Sequence, residues 1–178
     1  MRGALMPDAP LTPEIVDFVE SGVSTLVGTR DANLRPHGVR AMGAIVSSDR
    51  RRVTVFLPTV TSARALADLR DNGAIAITFS RPSDHQGIQL KGRVVGTRPA
   101  TDEDRFVQER YRAAWFEQLH MIGVPRATSK RWAHWPAIAV ELEVDALFLQ
   151  TPGPGAGEAI DSKGESAGVL PARRPIAR

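Results

Sequence analysis

Three features of the sequence predict an α+β, mainly β fold. Short β-branched runs alternate with turn signals between residues 23 and 57. Two helix-period segments with clear start and stop residues interrupt the strands further on. A long alternating run follows at 136–149. Together they predict about six strands in an antiparallel barrel or sheet with peripheral helices.

The elements follow in order. Thr12 can cap a first helix, Pro13 suits its first position and Gly22 can stop it, with Ile15, Phe18 and Val19 on one face. Val23–Arg30 reads as a strand, and Asp31-Ala32-Asn33 as a turn. A second strand is expected over about 36–46, then a turn at 47–51. A third covers Val53–Leu57 and ends at Pro58. This spacing is that of an antiparallel meander.

A helix follows, capped by Thr61 or Ser62 and closed at Gly73. Ala74–Ser80 and Gly87–Thr97 read as strands around a polar loop. Thr101 and three acidic residues open a long helix running to about Leu119, where the acids suit the helix dipole. A short helix is expected at 127–133. In the last strand Glu141 and Glu143 alternate with Val140, Leu142 and Val144, which is the pattern of a half-exposed strand and not of a catalytic pair. From Thr151 the chain turns to TPGPGAGE and then to a polar, basic end. The expected division is a barrel domain over 1–150 and a Gly/Pro-rich tail over 151–178, poorly ordered from Ser162 onward.

Composition narrows the chemistry. The 178 residues suit one domain. Cysteine is absent, which excludes disulfides, thiolate metal sites and cysteine nucleophiles. No histidine pair has metal-ligand spacing, so no metal site is expected. The N-terminus lacks an apolar signal core and no run approaches a membrane span, so a soluble, cytoplasmic chain is expected. The net charge of +3 raises nucleic acid as a partner. The arginines are scattered, however, and the tight run Arg50–Arg52 sits in a turn.

The informative stretch is the strand–helix junction VTVFLPTVTSARALADLRDNG at 53–73. Hydroxyls at Thr59, Thr61 and Ser62, free N–H groups at a helix start and the fork of Arg64 compose an anion site. Upstream lies RPHGVRAM at 35–42, and downstream GIQLKGRV at 87–94. The order of these pieces over about residues 12–150 resembles the FMN-binding split-barrel proteins, and more narrowly the pyridoxamine 5′-phosphate oxidase-like family. FLQTPGPGAGE at 148–158 looks like one bacterial subgroup of these proteins.

The resemblance implies a six-stranded antiparallel split β-barrel and a homodimer with FMN in a groove between subunits. It implies phosphate contacts from Ser62 and Arg64 with Thr61 nearby, and a flavin or phosphate contact from Arg40. Backbone groups of Leu57, Pro58 and Thr59 would flank the ring, and Gln89 and Lys91, on one strand face, would reach the cofactor. A small-molecule substrate is implied; no catalytic residue is, because the hydride chemistry belongs to the flavin. The chain end, VLPARRPIAR, does not match the Arg-containing RL-P segment of authentic pyridoxamine 5′-phosphate oxidases, so that substrate is not expected. Related split barrels hold haem or a deazaflavin, and these are the alternative cofactors. A non-catalytic flavin- or haem-binding module is the alternative function, and a basic nucleic-acid-binding domain a third.

The remaining polar and aromatic residues read as structural. His37 and His85 are surface histidines by default, with a proton donor near a flavin as the alternative, and His120 is an axial ligand candidate only in the haem reading. Trp115, Phe116, Trp132 and Trp135 can cover a ring, but core or interface packing is their commoner use.

Overall fold

The computed structural model describes residues 10–129 and 131–160. The elements are α1 (Pro13–Val19), β1 (Ser24–Arg30), β2 (Pro36–Arg40), β3 (Ala44–Val46), β4 (Arg52–Pro58), α2 (Ala63–Asn72), β5 (Ala74–Ser80), β6 (Gly87–Pro99), α3 (Asp102–Met121), α4 (Arg126–Ser129) and β7 (Ala137–Leu149). Every strand pairing is antiparallel, in the order β2-β1-β5-β6-β7-β4-β3.

That order contains the barrel. Its two outermost strands, β2 and β3, are consecutive in the chain and only Ala41–Gly43 separate them. Three residues cannot span an open seven-stranded sheet, so the sheet is rolled until its edges meet. The handover is visible in the hydrogen bonds. Ala41 N–H donates to Thr25 of β1 (3.0 Å), whereas Met42 N–H donates to Phe56 of β4 (2.8 Å). Gly43 makes this turn with φ +109°, a conformation that L side chains rarely adopt. The expected single strand over 36–46 is therefore two strands, and the count is seven instead of six.

Alternation sorts the two faces. Val39, Val27, Ile77, Leu90 and Leu147 are register neighbours across five strands, and all are buried inside the barrel. Asp68 of α2 is buried and accepts from Thr29 Oγ1 at 2.7 Å, which fixes the helix to β1. A second cluster forms outside the barrel, where Tyr111, Trp115 and Leu119 of α3 cover Met42. The Tyr111 hydroxyl donates to the Val23 carbonyl at 2.7 Å, and burial raises its pKa to about 12. The expected helix at 127–133 is shorter, Arg126–Ser129, and Trp132 beyond it packs at a tilt against Trp115.

Beyond β7 the chain turns back. Leu149 N–H bonds to Glu158, Ile160 N–H bonds to Leu147, and Ile160 is buried in the core. The expectation for Ser162 onward lies outside the described residues. Among the described residues no helix is long and apolar enough to cross a membrane.

α3 starts with a reciprocal cap. Asp104 N–H donates to Thr101 Oγ1 (3.3 Å), and the Asp104 carboxylate accepts from Thr101 N–H (2.8 Å). Arg98, near the end of β6, adds a guanidinium, with Nη2 donating to Oδ1 at 3.1 Å. The Arg98 hydrogen bond holds the Asp104 carboxyl below its usual range. A depressed folded-state pKa stabilises the fold above the ordinary aspartate value, and that contribution is lost as pH falls through the lower folded value. Asp104→Asn is expected to cost about 1–2 kcal/mol at neutral pH. Its melting gap from the parent should close as pH falls below about 3.9. A gap that persists unchanged in acid would show that the carboxylate charge is not what holds the cap.

Candidate functional site

The predicted site residues fall into two groups. Register neighbours in antiparallel strands point to the same side. One outward row reads Arg40, Leu26, Thr78, Gln89, Phe148, and the next reads Gly38, Gly28, Ala76, Lys91, Ala146. Arg40 and Gln89 thus share the outer face but lie three strand spacings apart, roughly 14 Å. Leu26, at 44% exposure, sits between them.

The first group surrounds the barrel's closure. Arg40 donates from Nη1 to Ser24 Oγ at 2.8 Å. Its guanidinium lies 4.8 Å from the Trp115 ring centre and 5.3 Å from that of Trp132. Burial lowers its pKa, and no carboxylate among the described residues pairs with it. A guanidinium half out of water, braced by rings and lacking a counter-ion, is suited to an anionic or electron-rich ligand.

Leu57 and Pro58 end β4, just beyond the Phe56–Met42 bond. The Leu57 side chain is buried in the barrel, so only its backbone is available to a ligand. Thr59 and Thr61 are exposed, and their hydroxyls donate to the carbonyls of Pro136 (3.1 Å) and Pro58 (3.4 Å).

Ser62 occupies the N-cap position of α2 but makes no side-chain cap. It is fully buried, and its hydroxyl has no partner. The N–H groups of Ala63, Arg64 and Ala65 precede the first helical bond, Leu66 to Ser62, and no acid lies in the first turn. Arg64 is 53% exposed and meets Asp31 only at 3.9 Å. An orphan hydroxyl, unpaired amides and a loosely held guanidinium form a donor set that fits a phosphate.

The second group is Gln89 and Lys91 on β6. Gln89 Nε2 donates to Thr78 Oγ1 at 3.0 Å, and Lys91 Nζ lies 4.4 Å from the Phe148 ring centre. Sequence reasoning placed both on one face correctly. It missed Ser24 as the brace of Arg40, and it missed Arg30 and Arg93, which share the outer face with Lys91. The phase of alternation, Gly28 and Arg30 against Val27 and Thr29, carried that signal.

The histidines stay outside these groups. His85 and His120 are exposed. His134 Nε2 accepts from Arg112 Nη1 at 3.2 Å, and burial, then that guanidinium, lowers its pKa, which favours the neutral accepting form. Among the described residues no group of His, Asp and Glu could hold a metal ion.

Solved structures share the fold. HupZ of Group A Streptococcus is 18% identical with a TM-score of 0.51, over 83% of this chain and 99% of that one. An F420 reductase is 13% identical with a TM-score of 0.51, over 76% of this chain and 98% of that one. A Lactobacillus delbrueckii protein described as a candidate pyridoxamine 5′-phosphate oxidase is 14% identical with a TM-score of 0.50, covering 78% of this chain and 93% of its own. No curated protein sequence matches. The family model for pyridoxamine 5′-phosphate oxidase matches residues 11–141, which takes in the barrel strands up to Glu141, the α2 junction and α3. With most of its length matched and its strands rolled into the same barrel, this chain belongs to the pyridoxamine 5′-phosphate oxidase family.

Proposed function

We propose that the chain binds FMN and acts as a flavin-dependent oxidoreductase on a small molecule. The observation that carries this reading is the start of α2: an orphan Ser62 hydroxyl, unpaired amides, no acid and a half-exposed Arg64. In this reading Arg64, Thr61 and Ser62 hold the phosphate. The backbone of Leu57, Pro58 and Thr59 flanks the ring, and Arg40 meets the phosphate or the ring edge. The bound flavin supplies hydride transfer. Gln89 or Lys91 places a donor near the ring, where negative charge grows on reduction.

The two groups lie about three strand spacings apart on one chain, an arrangement that a homodimer, with the partner completing each site, would close around one ring. An isologous contact over the outer face would also cover Leu26. A deazaflavin in place of FMN is the second reading, favoured by the shared fold with an F420 reductase.

The absorption spectrum of protein purified without added cofactor tests the proposal. A flavin spectrum is expected. A Soret band, or a colourless chain that fails to bind added FMN, would overturn it. Arg64→Ala should weaken FMN by about tenfold or more, the value of one charge-assisted contact. Arg50→Ala, in the 47–51 turn, should leave affinity unchanged. Equal losses would place the phosphate elsewhere.

A further inference from the structure

The flavin reading draws on only one residue, Lys91, of a larger groove. A groove of about 530 Å³ opens on the outer face where β1, β5 and β6 run side by side. Gly28, Ala76 and Gly92 are among its lining residues, and the outward positions Gly28 and Ala76 raise little or no side chain into it. Arg30, Lys91 and Arg93 line it, against one carboxylate, Asp145. None of these three cations is ion-paired among the described residues, whereas Arg52, Arg81 and Arg98 elsewhere each have a carboxylate.

Three like charges around one hollow repel each other, and the field they focus into it favours an anion. The volume is that of a small organic ligand. The small residues Gly28 and Ala76 leave room for a flat body, and the rim supplies donors for oxygen atoms. Neither Ser62 nor Arg64 lines this groove, so it is separate from the proposed phosphate site. We infer that the groove binds a small organic oxyanion, a carboxylate or a phosphate carried on a flat apolar body.

Gly28 gives a clean test. A Cβ there would meet nothing nearer than the Ala76 carbonyl at 3.7 Å, so a side chain can enter the groove without straining the strand. The probes are benzoate, phenyl phosphate and neutral benzyl alcohol, titrated into the flavin-free full chain and followed by calorimetry and amide NMR shifts. At least one anion is expected to bind and to move the amides of residues 28–30, 74–76 and 91–93. The ratio of benzoate to phenyl phosphate affinity separates a carboxylate from a phosphate ligand. Arg30→Ala/Arg93→Ala should weaken the anion about tenfold or more, and Gly28→Val should remove binding while melting as the parent does.

Several results would overturn the inference. Benzyl alcohol could bind as tightly as the anions, Gly28→Val could leave affinity intact, or shifts could appear only at the start of α2. A Gly28→Val chain that changes oligomeric state with anion affinity unchanged would make the groove a subunit contact instead. Because these titrations contain no flavin, a failure of the flavin reading would not affect them. A loss of FMN affinity in Arg30→Ala/Arg93→Ala would merge the groove with the flavin site and end its separate status.

Discussion

Gly92→Ala is expected to cost about 3 kcal/mol or more, and to lower the melting temperature by roughly 10 °C. A Cβ at residue 92 would stand 1.9 Å from the Glu143 carbonyl oxygen and 3.0 Å from its carbon. Both atoms are backbone in β7, held by its pairing with β6 and β4, so nothing flexible can yield. The position coincides with a register shift between Lys91 and Gly92, where β6 bends to follow the barrel wall. Gly28→Ala is the control, because it is the same chemical change within a paired strand of the same sheet, with 3.7 Å of room. It should be neutral or stabilising by roughly 0.5 kcal/mol, as alanine is in a strand interior. Matched urea or thermal melts of the two variants decide the point. Similar losses in both would show that strand composition, and not the close approach of β6 to β7, sets the cost.

The same contrast shows what a reader of the sequence can see. Gly28 and Gly92 look alike in sequence, each a glycine within an alternating strand. Only the partner backbone separates them, and partners come from strand order. What was legible is what one buried face imposes locally. Ile75, Ile77 and Phe79 alternate with Ala74, Ala76 and Thr78, and the structure keeps that strand at its expected ends. The α2 junction was legible for a similar reason, because Ser62 and Gly73 mark the two ends of the helix through local backbone geometry.

The break at Ala41–Gly43 was not legible. Both halves of 36–46 are β-like, and the turn depends on Thr25 and Phe56 competing for adjacent amides from opposite ends of the sheet. The candidate site was obscured in the same way. Alternation puts Gln89 and Lys91 on one face of their strand, but the strands β1 and β5 between them and Arg40 set the separation. Ser62 could be named from its position, but its burial could not.

Trp115 joins stability to the site, and Trp115→Ala is expected to damage both. The ring is 1% exposed, stacks with Tyr111 and packs at a tilt against Phe116 and Trp132, the last at 4.4 Å between centres. Truncation leaves a cavity that α3 cannot close, at a cost of about 3–5 kcal/mol. That loss is a large share of the total stability of an ordinary domain, about 5–15 kcal/mol. It also removes the nearer of the two rings that brace Arg40. Trp115→Phe is the discriminating variant. The Trp115 Nε1–H is buried without a partner, so phenylalanine removes an unsatisfied donor while keeping an aromatic face. It should lose far less stability than alanine. If Arg40 serves the flavin through this platform, Trp115→Phe should retain most FMN affinity. Trp115→Ala and Arg40→Ala should each lose it, and the double variant should lose little more than either, as residues acting through one contact do. Additive losses would separate Trp115 from the work of Arg40. Full FMN affinity in a folded Arg40→Ala chain would remove Arg40 from the site and leave the α2 junction to hold the cofactor without it.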